Sequence, residues 1–333
     1  MSPKSPRKKP KPTARTKKTR SNSTVATVGG VALVLASVLP ATLNPTPSRL
    51  DDTTTITRES RPRPLRTPET TKSVSLHLAL GNPSGATPDE ANPDNFLMVK
   101  DQYCLSYNNT NGGPNWVSWH LTASDIGNEA RGDFRPDDSL PEDFKMVTKG
   151  DYTGTKFDRG HVCNSKDRTN SRENNNATFL MTNILPQAPD NNQGPWRILE
   201  DFERSIAKEG NELYIYAGAY GSGGTGGKNV VEESIDGGDI NVPKVFWKVI
   251  VVLPEGDNDL RRIDANTRAI AVCMPNTQGI RNTPWQTFVT TIGNVEKASG
   301  LQLLSVLPAA TQQAIESKRA PEGQGPANTN PCQ

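Results

Sequence analysis

Among the three histidines of this 333-residue chain, His161 has the neighbours best suited to chemistry. It ends the segment Asp158–His161, and the side-chain amides of Asn183 and Gln187 follow before an amide-rich segment, residues 191–194, opens a predicted helix. A neutral imidazole with a pKa near ~6.5 can accept a proton from water at physiological pH. Residue types alone leave open whether this imidazole is catalytic or structural.

The other two histidines are not predicted to be functional. His77 lies at the edge of a segment predicted to be disordered. His120 lies in the alternating run 116–121, where a side chain that faces solvent is the default expectation for a half-buried strand. The chemistry is therefore expected to centre on His161.

The four cysteines, Cys104, Cys163, Cys273 and Cys332, form no close pair. This spacing excludes a CxxC zinc knuckle, and His161 with Cys163 supplies too few ligands for zinc. In an exported protein an even number of cysteines permits disulfides. We predict a bridge between Cys104 and Cys163, with Cys273 as a core thiol in the apolar run 269–274.

The elements that must position these side chains can be predicted from hydrophobic patterns. Runs rich in β-branched and aromatic residues predict strands at 101–107, 116–121, 179–185, 212–219, 244–253 and 269–274. Apolar spacing predicts a helix over 192–209, stopped by Gly210, and two later helices at 291–299 and 309–318. Few strand–helix–strand units are present, which favours an α+β fold with a mainly antiparallel sheet flanked by helices.

Composition divides the chain into four parts. Residues 1–20 hold nine Lys and Arg and no acid, and an apolar stretch follows, so residues 1–43 are predicted to be a secretory signal peptide or an uncleaved signal-anchor held in the membrane by residues 24–43. Both alternatives place the rest of the chain outside the cytoplasm. The composition of residues 44–95, rich in Pro, Thr and Ser, predicts a disordered linker, and residues 320–333 are predicted to be a disordered tail. One folded domain is predicted between them, at 96–319.

The predicted folded part is acidic. From residue 73 onward the chain holds 23 Lys and Arg against 32 Asp and Glu. This balance excludes a protein that coats nucleic acid by net neutralisation of phosphates. Any binding of nucleic acid must therefore be local to a site.

Three blocks in consistent order resemble one known family. They are Asp158–His161, residues 182–187 (TNILPQ), and the block from Asn192 to Glu200, in which N-Q-G-P-W is followed by the glutamate. Together they resemble the DNA/RNA non-specific endonucleases, most closely the bacterial branch, over roughly residues 95–318. The resemblance implies a ββα-metal (His-Me finger) active site. It also implies Mg²⁺-dependent hydrolysis of DNA and RNA, double- or single-stranded, with Mn²⁺ as a possible substitute and 5′-phosphate products.

The resemblance also implies a role for each matching residue. His161 matches the general base, Asn192 the single direct protein ligand of Mg²⁺, and Glu200 a carboxylate that acts through metal-bound water. Arg131 matches the arginine that stabilises transition-state charge, and Arg135 is the alternative because the loop 127–133 can shift the alignment. The remaining matches are Arg159, a basic residue of the catalytic motif, and three residues that order the site, Asp158, Asn183 and Gln187.

These roles agree with elementary chemistry. Phosphodiester hydrolysis needs an activated water, a sink for charge on the phosphate and help for the leaving oxygen. Mg²⁺ keeps most of its waters, so a single Asn carbonyl makes a plausible, weakly held site. On a regular helix, Asn192 and Glu200 would be separated by a rise of ~12 Å and a rotation of ~80°, which predicts that Glu200 acts through water.

The function predicted is that of an exported, Mg²⁺-dependent, non-specific endonuclease. Because the domain is acidic, binding of the nucleic-acid backbone is assigned to basic residues near the site, namely Arg135, Lys166, Arg168, Arg172 and Arg197. An alternative is an inactive relative that binds nucleic acid at the cell surface, and a third reading is a structural wall-associated protein. Nicking of plasmid that is sensitive to EDTA separates catalysis from binding.

Overall fold

The computed structural model describes residues 75–324 and 330–333. The predicted signal peptide or signal-anchor, residues 1–43, lies outside the described residues, together with its membrane part at 24–43. Residues 44–74 of the predicted linker also lie outside them. Within the described ranges, no helix has the length and apolar character needed to cross a membrane.

The secondary structure consists of strands with a few short helices. The helices are α1 (Arg172–Ala177), α2 (Pro189–Asn191), α3 (Arg197–Lys208), α4 (Asp259–Arg262), α5 (Ile292–Ser299) and α6 (Ala309–Glu316). The strands are β1 (Phe96–Val99), β2 (Cys104–Asn108), β3 (Gly113–Leu121), β4 (Asp158–His161), β5 (Ile184–Gln187), β6 (Asn211–Tyr220), β7 (Gly224–Gly226), β8 (Val230–Glu232), β9 (Ser234–Ile235), β10 (Ile240–Asn241), β11 (Val245–Pro254), β12 (Arg268–Pro275) and β13 (Val289–Thr290).

An antiparallel sheet, buried on both faces, forms the centre of the fold. Its order is β1-β2-β3-β6-β11-β12-β13. Alternate residues of β11 face opposite sides, so Phe246 and Ile250 pack with α3, whereas Trp247 and Val249 pack with α5 and α6. The predicted α+β class with a mainly antiparallel sheet and flanking helices is confirmed.

Most of the predicted elements are present within a few residues of their expected bounds, but one strand is displaced. The run 179–185 is predicted as a strand, whereas β5 begins only at Ile184 and Met181–Asn183 form a 3-10 turn. The reason is the Asn183 side chain, whose amide nitrogen donates to the carbonyls of Cys163 and Thr178, both at 2.9 Å. This side chain ties the turn to the neighbouring loop in place of a strand ladder.

The pair β4–β5 forms a separate finger beside the sheet. The two strands are antiparallel, with Asp158 opposite Gln187 and His161 opposite Ile184. The finger rests on β3, where a Cβ at Gly113 would lie 2.7 Å from the Leu185 side chain. The chain leaves β5 through α2 and a kinked turn into α3, so two strands and a helix enclose one site.

The predicted linker is wrong over residues 75–95, which belong to the folded domain. Leu80 and Ala86 are buried, and the Trp116 indole donates to the Ser84 hydroxyl at 2.8 Å. The ring of His77 joins this segment to the sheet, since its Nε2 bonds to the Asp101 carbonyl at 2.8 Å and its Nδ1 accepts from the His120 amide at 3.1 Å. The folded region therefore begins well before residue 96.

The predicted Cys104–Cys163 bridge is also wrong. The disulfide joins Cys273 to Cys332, whereas Cys104 and Cys163 are free and buried. The physical reason is the sheet, because Cys104 packs in the cluster on one face and Cys163 in the cluster on the other. The bridge ties the end of the predicted disordered tail to β12, and Tyr220 donates to the Cys332 carbonyl at 2.5 Å.

The alternating pattern predicts that His120 faces solvent, and this prediction is wrong. Its Nε2 lies 2.8 Å from the Glu212 carboxylate, and its ring packs against Tyr214 with a centroid distance of 4.8 Å. Glu212 is buried and also pairs with Arg262. A polar cluster thus replaces solvent at this end of the sheet.

Protonation of His77 is expected to destabilise the fold below neutral pH. Burial lowers its pKa from 6.5 to about 4, so folding favours the neutral ring. Its contribution is complete above pH 6.5 and is lost progressively as the pH falls from 6.5 to about 4. Urea unfolding should show that wild type loses roughly 3 kcal/mol more between pH 7 and pH 4 than His77→Gln does. Equal losses in the two proteins would contradict this role.

Loss of the disulfide is expected to lower the free energy of unfolding. The bridge closes a loop of 59 residues, for which loop entropy predicts a contribution of about 4 kcal/mol. Cys332→Ser should therefore unfold at lower denaturant concentration than oxidised wild type. Reductant should bring wild type to the level of the variant and leave the variant unchanged. Identical unfolding midpoints for the variant and the oxidised wild type would show that the bridge adds nothing.

Candidate active site

His161 lies at the end of β4 in an aromatic pocket. Its ring centroid is 4.6 Å from that of Phe179 in an edge-on contact and 5.2 Å from that of Phe134. The Nε2 atom is buried and has no hydrogen-bond partner among the described residues. Burial, helped by the charge of Arg131, lowers the pKa of His161 to about 3. The ring is therefore neutral at physiological pH and keeps a nitrogen able to accept a proton.

Two arginines lie against the same aromatic rings. The guanidinium of Arg131 is 5.1 Å from the Phe179 centroid and 5.6 Å from the Phe134 centroid. The guanidinium of Arg159 also contacts Phe134, at 4.8 Å from its ring centroid. Neither arginine forms an ion pair within the described part of the chain. Ring contacts hold these cations without cancelling their charge, which leaves it available to a phosphate.

Asp158, at the start of β4, fixes the amide of Asn192. The amide nitrogens of Asn192 and Gln193 both donate to Oδ2 of Asp158 at 2.8 Å. A carboxylate only accepts, so the nitrogen of the Asn192 amide must face Asp158. The Asn192 carbonyl oxygen is then left for a cation. This geometry agrees with the ordering role predicted for Asp158.

The predicted regular helix over 192–209 is wrong in its first turn. Residues Asn192–Trp196 form a wide π-type turn, and Gly194 has non-helical angles of φ −106° and ψ −117°. A Cβ at Gly194 would lie 2.6 Å from the Arg281 carbonyl oxygen, so the packing there requires glycine. The ~80° offset expected of a regular helix therefore does not apply. Asn192 and Glu200 instead border one cavity together with His161.

Glu200 forms the buried wall of that cavity. It lies in the first turn of α3 and is 4% exposed. Burial raises its pKa, while Lys248, Arg204 and the Asn164 side chain act in the opposite direction. Glu200 forms no ion pair among the described residues. It is thus a carboxylate at the cavity with no cation of its own.

The other two residues predicted to order the site lie beneath the finger. Asn183 accepts from the Cys163 amide at 2.9 Å, which fixes the chain just after His161. Gln187 donates to Asn191 at 3.1 Å and packs against Gly160, where a Cβ would lie 2.3 Å from the Gln187 Oε1 atom. Both contacts are consistent with the predicted ordering roles.

The basic residues predicted to bind nucleic acid do not form one set. Lys166 and Arg197 border the cavity of His161, and Arg135 and Arg172 border an adjoining cavity that also includes Arg131. Arg168 is wrongly predicted, because it is 2% exposed and donates to the carbonyls of Gln102 and His120. Those carbonyls and the Asp125 carboxylate, at 3.6 Å, stabilise the buried charge of Arg168.

Several residues at the site were not predicted to be functional. Phe134 and Phe179 hold the histidine and both arginines, Gln193 supports Asp158, and Arg204 borders the cavity. Gln193 was within reach of sequence reasoning, because it follows Asn192 in the recognised block. The aromatic contacts join distant segments and carry no local signal.

The donor set fits a cation that keeps most of its own water. In the ranges that the structure covers, no group of three or more His, Cys, Asp or Glu side chains could hold a metal ion together. The donors present are one fixed amide oxygen, on Asn192, and one unpaired carboxylate, on Glu200. Such a set suits Mg²⁺, which dehydrates reluctantly, and does not suit a tetrahedral zinc centre.

The chain is similar to several nucleases. It is 47% identical over 251 residues to a nuclease of Nostoc sp., covering 75% of this chain and 88% of the relative. It is 30% identical over 211 residues to human mitochondrial endonuclease G, covering 62% of this chain and 68% of the relative. The crystal structure of the EndoG/EndoGI complex contains a similar fold, with 24% identity, a TM-score of 0.58, and coverage of 70% of this chain and 92% of the other.

A family assignment follows from these matches together with the geometry. Residues 81–310 match the family described as DNA/RNA non-specific endonuclease. The match spans the sheet, the β4–β5 finger and the kinked turn into α3. The chain therefore belongs to the DNA/RNA non-specific endonuclease family, and it is a hydrolase of the ββα-metal nuclease fold that acts on nucleic acids.

Proposed function

We propose that this protein is an exported, Mg²⁺-dependent endonuclease that cuts DNA and RNA with little sequence preference and leaves 5′-phosphate ends. The observation that carries the proposal is the cavity shared by His161, Asn192 and Glu200. It combines a neutral, unbonded imidazole with an amide oxygen and a carboxylate suited to a hydrated cation. Double- and single-stranded DNA and RNA are the proposed substrates, and Mn²⁺ is a possible replacement for Mg²⁺.

Each residue has a chemical task in this proposal. His161 takes a proton from the attacking water, and its pocket of Phe134 and Phe179 holds the ring in place. Asn192 would hold the cation directly, and Glu200 would hold it through water. Bound Mg²⁺ would supply Lewis-acid neutralisation of charge on the phosphate and the leaving oxygen.

The arginines bind the substrate phosphate. Arg131 and Arg159 keep uncompensated charge beside His161, so they can donate to the non-bridging phosphate oxygens as negative charge builds there. Contacts from Lys166, Arg197 and Arg135 to neighbouring phosphates would hold the strand without reading its bases. A local basic surface of this kind compensates for the acidic balance of the domain.

Export is part of this proposed function. The basic and apolar N-terminal segment supports it, because such a segment directs translocation whether it is cleaved or stays as an anchor. The disulfide supports it as well, since disulfides persist in oxidising compartments. A secreted, periplasmic or membrane-anchored location is therefore proposed, with residues 24–43 as the anchor where cleavage does not occur.

Cleavage is expected to require both the histidine and a divalent cation. His161→Ala should lose about 10²–10⁴-fold in the rate of nicking supercoiled plasmid and degrading single-stranded RNA, since general-base catalysis contributes that much. EDTA should abolish both activities of the wild type.

The matched control is His120→Gln, which removes a histidine outside the cavity. It should keep its cleavage rate at temperatures where circular dichroism shows it folded. A folded wild type that leaves both substrates intact in Mg²⁺ and in Mn²⁺ would contradict the enzyme proposal. A His161→Ala variant as active as wild type would contradict the assignment of the base.

A further inference from the structure

A lysine lies buried between the sheet and helix α3. Lys248 is in the middle of β11, between Phe246 and Ile250 on the face that packs against α3, and its side chain has no exposure. Its ammonium lies 3.0 and 3.2 Å from the two carboxylate oxygens of Glu203 on α3, which is equally buried. A charge at a core position is costly, so a bidentate partner of this kind is needed to hold it there.

Two tryptophans enclose the rest of the ammonium. Its nitrogen lies 4.4 Å from the centroid of Trp196 and 5.5 Å from that of Trp119. Glu203 is the ion-pair partner of Lys248 among the described residues. The lysine therefore has one carboxylate and two aromatic faces in place of water.

A second buried pair lies beside the first. Arg204, the next residue on α3, donates to Asp167 at 2.8 Å, and Asp167 is fully buried. The Trp119 indole donates to the other oxygen of Asp167 at 3.1 Å. Arg204 also pairs with the half-exposed Asp201 at 2.6 Å. Asp167 and Glu203 of this buried layer thus each have a cation as partner.

Glu200 is the third carboxylate of the layer, and it differs from the other two. It precedes Glu203 by three residues, which places both side chains on the same face of the helix. Of Asp167, Glu200 and Glu203, only Glu200 borders the cavity of His161. Glu200 alone of these three carboxylates has no ion-pair partner among the described residues, and it lies on the wall where a cation would bind.

We propose that the ion pair with Glu203 prevents Lys248 from pairing with Glu200, so that Glu200 stays available to a hydrated divalent cation. Glu203 is then a positioning residue for the metal site, which it affects through Lys248, and this inference rests on the proposed function. The alternative partner of Lys248 is close at hand, because Glu200 is one helical turn away and Lys248 is foremost among the charges that lower its pKa. A lysine stem is flexible enough to turn from one carboxylate to the other.

The inference predicts that the two partners of the ion pair are not equivalent. Removal of the anion by Glu203→Gln frees Lys248 to neutralise Glu200, so Mn²⁺ should bind about tenfold more weakly or worse. Removal of the cation by Lys248→Met leaves Glu200 unpaired, so Mn²⁺ binding should stay within about threefold of wild type. The double variant Lys248→Met with Glu203→Met should also bind within about threefold, because an apolar pair replaces the ionic one.

The measurement is a titration of each purified, metal-free protein with Mn²⁺, followed by the electron paramagnetic resonance signal of the free ion. Thermal unfolding by circular dichroism establishes which variants are folded. Where Glu203→Gln does not fold, Lys248→Met and the double variant decide the matter, because weak Mn²⁺ binding by either of them in a folded state overturns the inference.

Two outcomes separate this inference from the function on which it rests. Binding by Glu203→Gln equal to wild type, or equal losses in Glu203→Gln and Lys248→Met, would show an ion pair that only stabilises the fold, and would overturn the inference alone. A wild type that binds no Mn²⁺ would contradict the proposed metal-dependent function and this inference with it.

Discussion

The site depends on the antiparallel pairing of β4 with β5. β4 has only four residues, yet it begins with Asp158 and ends with His161. Its pairing with β5 fixes both ends, because Asp158 lies opposite Gln187 and His161 opposite Ile184. One end thereby orients the Asn192 amide and the other places the imidazole in its aromatic pocket. A shift of this register by one residue would turn each of these two side chains to the face of the finger opposite its present one.

Charge around the site is set by the immediate neighbours of each charged group rather than by net composition. Arg131 is held by aromatic faces, which leave its charge free. Lys248 is paired with the buried carboxylate of Glu203, and Arg204 is paired with Asp167 and Asp201. Glu200 is left as the unpaired carboxylate of the cavity wall. An acidic domain can therefore present cations to a phosphate and an anion to a metal within one cavity, because each charge is set by its immediate neighbours.

Sequence reasoning located the sheet, the later helices and the family motif, because each has a local pattern of apolar spacing or of adjacent polar residues. It failed where the outcome depends on distant contacts. The partner of Cys273 is 59 residues away, and Arg168 is buried because carbonyls of remote segments receive its hydrogen bonds. The kink at Gly194 likewise follows from the backbone of Arg281, which packs directly against it. None of these contacts leaves a periodic signal near the residue concerned.

The role of His161 can be tested most directly by chemical rescue. The ring fills a pocket bounded by Phe134 and Phe179, so His161→Gly should leave a space shaped for free imidazole. Added imidazole should restore plasmid cleavage to the folded variant in Mg²⁺, and the restored rate should follow the fraction of imidazole that is neutral. Imidazole should have no such effect on the wild type. A folded His161→Gly variant that stays inactive at every imidazole concentration would contradict the assignment of His161 as the general base.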